Sequence, residues 1–451
     1  MATSVRSRVH SAVDSSESGG FLYNLFRRII LFFCTFNTEG FVITSTLLII
    51  AETILALQII WHVPYTEIDW STYMQQVRCY IKGERNYTRI SGDTGPIVYP
   101  AGHLAIYKFL HAWTDRGRNI IRAQYIFAFL YLVNLVLVFR LFFKSRRIPP
   151  FVLVLICLSS YRIHSIFMLR LFNDPIAMLL FFVAVNMWTS QQWVLGAIFY
   201  SLGVSVKMNI LLFAPAVFFI FLLSNRIGST FFLLFICALV QVGIAAQFLF
   251  FDPVSYLKRA FEFSRLFLFK WTVNWRFLPE WLFLDRRFHF LLLAAHLALL
   301  GVFMTKLWFR SQGGLVSLMK RLSYGICTRL DVHEILIALF TANLAGVTFA
   351  RSLHYQFYSW YYHSLAYLLL APIYPAVGPN DEAKAWNMPL RTAVPIRKIL
   401  YRVAILLTLE VCWNTYPSTV LSSLLLHVCH AAIVLLLLKN RQPLPMEEKN
   451  R

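Results

Sequence analysis

A chain of 451 residues with 58% hydrophobic side chains and only 14% charged ones has more apolar surface than one soluble core can hide, which excludes an ordinary water-soluble domain. Its formal net charge of +21 would suit a nucleic-acid binder, yet Lys and Arg gather in short loops between apolar runs, where the positive-inside rule explains them without nucleic acid. Composition indicates an all-α polytopic membrane protein.

In chain order, residues 1–40 contain Ser and Arg but no apolar centre, and read as a cytosolic amino-terminal tail rather than a cleaved signal. Apolar runs predict membrane helices near 41–61, 120–143, 149–167, 174–188, 193–208, 209–224, 229–250, 288–308, 332–350, 358–375, 399–413 and 418–438, about twelve in all. The membrane domain then covers 41–438, and 439–451 is a second cytosolic tail. Alternating sides from a cytosolic amino end, with Arg6, Arg8, Arg27 and Arg28, groups it with Lys144-Ser145-Arg146-Arg147, Asn225-Arg226, the 309–331 loop and the 376–398 loop. The opposite face receives 62–119, the corner Leu169–Asp174, the turn Lys207–Asn209, a second long loop 251–287, the turn Arg351–Phe357 and Asn414–Thr419.

A connector as long as 62–119 is rarely idle. It holds Glu67 and Asp69 in EIDW, a glycosylation sequon at Asn86-Tyr87-Thr88, and Asp93, Tyr99 and His103 in GDTGPIVYPAGH. Carboxylates suit deprotonation of a hydroxyl, Arg, Lys and His suit phosphate, and aromatic rings suit either a sugar or the membrane interface. On residue grounds alone Asp69 reads as a helix cap or solvated carboxylate, Asp93 suits an Asx turn as well as a ligand contact, and His103 reads as a satisfied interfacial histidine. Lys207, flanked by apolar spans, requires a polar surround or an acid such as Asp174. Asn173-Asp174-Pro175 reads as a helix start, with Asn173 or Asp174 as the cap. Glu52 and Glu410 fall inside spans and read as protonated carboxyls bonded between helices. The seven cysteines show neither a disulfide framework nor metal-ligand spacing, and no metal is expected.

The segments EIDW, GDTGPIVYPAGH, LRLFNDP at 169–175, KMN at 207–209, FLFKWTVNWRFLPE at 267–280, RSLHYQFYSWY at 351–361 and WNTYPST at 413–419 carry a specific resemblance. The chain resembles glycosyltransferase family 58, the Not56-like dolichyl-phosphate-mannose-dependent α-1,3-mannosyltransferases of asparagine-linked glycosylation. That resemblance implies a GT-C type fold in the endoplasmic reticulum membrane, with its large first loop and active site facing the lumen. It also implies transfer of mannose from dolichyl phosphate mannose to Man5GlcNAc2-PP-dolichol in α-1,3 linkage, without a cofactor.

Because the donor linkage is β and the product α, one in-line displacement with inversion suffices, needing a base and a stabilised phosphate leaving group. The resemblance makes Asp69 the general base, with Glu67 and Asp93 next. Arg276, Arg351, His354, Lys270 and Lys207, beside spans on that face, are candidates for the donor phosphate, against a competing role as snorkelling anchors. Trp70, Tyr99, His103, Asn173, Asp174, Trp271, Asn274, Trp275 and Tyr355 are candidates for sugar or acceptor contact. The chain departs from the family pattern at Ala366, where Pro is expected, and in the length of the 376–398 loop. Two other readings stand beside this one: another lumenal dolichyl-phosphate-sugar transferase, and a lipid or solute transporter, which would show paired repeats and midplane charges.

Overall fold

In a bilayer each backbone polar group must be bonded within its own segment, so the apolar runs become helices. The computed structural model describes residues 23–262, 268–378, 380–382, 390 and 394–439; Arg6, Arg8, residues 440–451 and parts of the 251–287 and 376–398 loops lie outside them. Each of the predicted spans falls on helix. Among the described residues five helices are long and apolar enough to cross a membrane: Thr38–His62, Ile120–Ser145, Ile227–Phe251, Arg286–Trp308 and Val420–Lys439. A sixth arises if Pro150–Leu158 and Tyr161–Leu169, bent by 57°, are one span. Asp174–Trp188, Trp193–Val206, Met208–Ser224, Val332–Thr348 and Tyr362–Ile373 are apolar but shorter. Ile396–Asn414 belongs to neither group, because Arg397, Lys398, Arg402 and Glu410 interrupt its apolar run. The amino-terminal tail is not wholly irregular, since 23–34 is helical.

Local chemistry sets the ends. Asn37 and Asn119 accept from the backbone N–H groups of Gly40 and Arg122, and Asp331 with Glu334 forms a capping box before Val332–Thr348. The bend after Leu158 falls on Ser159-Ser160, whose hydroxyls donate back to Leu155 and Cys157 carbonyls and compete with the helical ladder. Ala366 lies inside Tyr362–Leu370, where Pro would remove a ladder bond. The intramembrane acids are both partnered between helices: Glu52 faces His164 Nε2 at 2.6 Å and accepts from Tyr131 Oη at 2.9 Å, while Glu410 accepts from Tyr358 Oη.

Asp174–Trp188 packs on Trp193–Val206, which packs in turn on Ile227–Phe251. The outer face of Ile227–Phe251 leaves Phe231, Phe235, Leu239 and Val242 exposed, as a lipid-facing helix does. The long first loop is itself structured. Trp70, Tyr73, Met74 and Val77 recur at helical spacing and bury one stripe of Trp70–Ile81. A two-stranded hairpin, Ser91–Gly92 with Gly95–Pro96, follows, and Gly95 takes the positive φ of 127° that closes it. Helix Ala101–Trp113 then crosses the end of Trp193–Val206 at Gly102, where a Cβ would sit 2.1 Å from Ser205 Oγ.

The segments assigned to each face bond among themselves. On one, Arg146 pairs with Glu382, Val377 N–H donates to Arg146 O, and Thr38 Oγ1 donates to Glu382. On the other, Thr66 N–H donates to Leu169 O, Val273 N–H to Leu353 O, and Ser418 Oγ to Thr272 O.

Candidate active site

Asp69 ends the strand of loop that enters Trp70–Ile81. It occupies the N-cap position, yet its carboxylate caps nothing. The cap is supplied by Glu67, exposed, which accepts from Ser71 N–H at 3.0 Å and from Tyr65 Oη at 2.7 Å. The capping role that residue type suggested for Asp69 therefore belongs to Glu67. Asp69 is half-buried and, among the described residues, accepts two long bonds, from Thr94 Oγ1 and Tyr73 Oη, each at 3.3 Å. Burial holds its carboxyl above the ordinary range, against the pull of the Lys207 charge and of those two hydroxyls. A carboxylate so weakly held keeps lone pairs for an incoming hydroxyl.

Asp93 sits at the hairpin turn, exposed, exchanging bonds with the Gln75 amide at 2.5 and 2.7 Å. Its neighbour Thr94 is held by its own N–H, which donates to Thr72 Oγ1 at 3.0 Å.

Behind Asp69 lies a buried polar chain. Lys207 Nζ donates to Asp174 Oδ2 at 2.7 Å and Asn173 Oδ1 at 3.0 Å, and lies 5.3 Å from the ring centroids of both Tyr99 and Phe357. Asp174 Oδ1 accepts from Trp360 Nε1 at 2.5 Å. The acid partner expected for Lys207 is thus Asp174, and that pairing neutralises the charge proposed for the donor phosphate. Asp174–Trp188 starts where expected with Pro175 in its first turn, but Asn173 makes no side-chain cap; its amide bridges Lys207 and His103. With Asn173 Oδ1 on the ammonium, its Nδ2 donates to His103 Nδ1 at 3.2 Å, which leaves the imidazole proton on Nε2. His103 is fully buried among Tyr73, Tyr99 and Tyr107, not interfacial, and Nε2 has no partner. Burial, helped by Lys207, pushes its imidazole down to about 3, so it is a neutral donor.

The other candidates divide. Asn274 is a clamp: its Oδ1 accepts from Thr272 Oγ1 and Leu353 N–H, and its Nδ2 donates to Ala350 O, which Trp275 Nε1 also reaches. Arg276 folds back on Phe269, donating to its carbonyl at 3.1 Å with the guanidinium 4.5 Å from the ring. Lys270 is exposed over Trp271, whose ring stacks on Tyr416. Trp70 is buried against Tyr107 and Phe127. His354 stacks on Phe357, and Tyr355 Oη donates to Thr415 O. Arg351 is half-buried at the same turn, its guanidinium pulled down from its ordinary value by burial. Asn86 turns back on Thr88, accepting from its N–H and Oγ1. Among the described residues no three His, Cys, Asp or Glu side chains converge as a metal site requires. Replacing Asn274 by Ala is expected to cost about 1–3 kcal/mol by stranding Leu353 N–H, while Ala350 O keeps Trp275 Nε1, read as a lower unfolding midpoint in mixed micelles.

Sequence reasoning passed over Thr94 and Tyr73, whose hydroxyls meet Asp69, and Arg162 and Arg170. The signal for the arginines was present: a cation inside or beside an apolar span needs a reason to be there.

The family model described as ALG3 protein matches residues 46–423. The Dol-P-Man:Man(5)GlcNAc(2)-PP-Dol alpha-1,3-mannosyltransferase of Mus musculus is 46% identical over 405 residues, covering 89% of this chain and 88% of its own length. The Homo sapiens protein of the same name is also 46% identical over 405 residues, with the same coverage. A Dictyostelium discoideum protein named as a probable enzyme of that activity is 41% identical over 439 residues, covering 90% of this chain and 93% of itself. A match that runs through nearly the whole membrane domain, site segments included, has one meaning: this chain belongs to the ALG3 family.

Proposed function

We propose that this chain transfers mannose from dolichyl phosphate mannose to Man5GlcNAc2-PP-dolichol in α-1,3 linkage, giving Man6GlcNAc2-PP-dolichol with inversion. Family membership supports the reaction class, and the observation that carries the chemistry is Asp69: half-buried, weakly bonded and beside a neutralised Lys207–Asp174 pair. In the reaction the acceptor 3-hydroxyl gives its proton to Asp69 as its oxygen bonds to mannose C1. The C1–O bond to phosphate breaks and its electron pair leaves with dolichyl phosphate. His103 Nε2–H, buried and without a partner, is a donor for a substrate hydroxyl.

The proposal extends to architecture and place. Residues 41–438 form a GT-C type domain of about twelve membrane segments, the tails 1–40 and 439–451 face the cytosol, and the loops 62–119 and 251–287 face the lumen of the endoplasmic reticulum. Convergence of the polar segments on one face supports that sidedness, and a sequon there supports modification of Asn86.

The decisive experiment incubates purified protein with a dolichyl phosphate mannose analogue, the lipid-linked Man5GlcNAc2 acceptor and EDTA, and reads product mass and linkage. An α-1,3-linked Man6 product is expected. No transfer by folded protein sinks the reading, another linkage moves the chain to a neighbouring specificity, and loss of transfer only in EDTA removes metal independence.

A further inference from the structure

Arg162 and Arg170 flank the π-helical turn Ser165–Leu169, just after the 57° bend. Single π turns inside α-helices recur at functional sites because they re-aim side chains. Both arginines are half-buried. The Arg162 guanidinium stands 5.1 Å from the Tyr355 ring centroid, and its Nε is buried without a partner. Arg170 donates to Ser165 Oγ. Arg162 feels the charge of Arg170, and among the described residues neither reaches a carboxylate at ion-pair distance. Glu410 lies within electrostatic range of Arg162, but its carboxylate is already bonded to Tyr358 Oη and Asn414 Nδ2.

Two guanidiniums drawn partly out of water, with no carboxylate at ion-pair distance among the described residues, are costly, and an anion bound from outside would relieve that cost. The pair is also tied to the candidate base. Leu169, next to Arg170, accepts from Thr66 N–H three residues before Asp69. Asn173 and Asp174, on the other side of Arg170, hold Lys207. The short helix Tyr355–Trp360 joins both ends, with Tyr355 under Arg162 and Trp360 on Asp174. Lys207 is neutralised and Arg276 is folded on Phe269, so neither matches this pair as an anion seat.

We propose that Arg162 and Arg170 form the seat of a polyprenyl-linked phosphate, whether the phosphodiester of the donor or the diphosphate of the acceptor. The proposal rests on the transferase reading above and names where its lipid headgroup binds. Guanidinium forks match phosphate oxygens in pairs, and at the donor they stabilise the oxygen that takes the electron pair when the C1–O bond breaks.

Arg162→Ala and Arg170→Ala, in the full chain, are each expected to lower kcat/KM by about 10- to 100-fold, the usual worth of a charge-assisted bond. A rise in KM confined to the donor assigns the monophosphate, and one confined to the acceptor assigns the diphosphate. Arg162→Lys and Arg170→Lys keep the charge and lose the fork; they are expected to fall between wild type and Ala, and they carry the test if the Ala variants do not fold. A second readout needs no turnover: dolichyl phosphate or dolichyl diphosphate should raise the melting temperature of the wild type and not of the Ala variants, or, where those do not fold, raise that of the Lys variants less than that of the wild type. That stabilisation in a wild type that transfers no mannose would keep the seat and remove the transferase reading. Variants that retain kcat/KM for both substrates within about twofold, or a wild type stabilised by neither lipid, overturn the proposal.

Discussion

Asp69→Asn is expected to slow mannose transfer by about a hundred- to ten-thousandfold while leaving the fold intact, because it removes a proton acceptor without changing volume. The two bonds that Asp69 accepts among the described residues are both 3.3 Å long, so an amide there strands no short hydrogen bond. Single-turnover rates with saturating donor and acceptor, beside a melting curve of the same sample, measure the effect. A variant turning over within tenfold of wild type would remove Asp69 as base. Glu67→Gln should act differently, weakening the first turn of Trp70–Ile81 more than the chemistry, since Glu67 caps Ser71.

Lys207→Met should be the most damaging substitution for stability, at about 3–5 kcal/mol, because it leaves the fully buried Asp174 without its counter-ion. Lys207→Met combined with Asp174→Asn should recover much of that loss, since the second change removes the stranded charge while keeping a partner for Trp360. Urea titrations in mixed micelles compare the single and double variants, and a single variant as stable as wild type would contradict the buried pair. The same lysine also sets a pH dependence. A base works ionised, and burial holds the Asp69 carboxyl above its ordinary range, so activity should fall as pH drops through that raised value. Lys207 pulls the carboxyl down, so in any folded Lys207 variant the acid limb of the kcat profile should move to higher pH. A limb that stays put would mean that another group titrates.

Residue patterns made some of this legible and concealed the rest. Lys207 illustrates the first: an ammonium between apolar spans has few affordable environments, and an acid near a neighbouring span end is one of them. Asp69 and Glu67 illustrate the second. Two acids two residues apart in an irregular segment are interchangeable on paper, and only the path of the chain decides which turns back to cap Ser71 and which faces the hydroxyls of Tyr73 and Thr94. His103 was hidden for a similar reason, because nothing local announces that three tyrosines will enclose it. The motif that holds Arg276 likewise does not reveal that its guanidinium bonds the Phe269 carbonyl. The transporter reading falls with the family assignment, and the polar segments lie together on one face.

By itself the sequence determined that the chain is helical, where its apolar runs lie, and to which family it belongs. These follow from local physics: transfer free energy summed over a run, and residue order in long motifs. Tertiary structure alone decided that the first loop folds into helices and a hairpin, that Glu67 and not Asp69 caps Ser71, and that Arg162 comes to stand against the Tyr355 ring with no carboxylate at ion-pair distance among the described residues. Such outcomes depend on contacts between residues far apart in the chain, and no local pattern records which polar group another segment will satisfy.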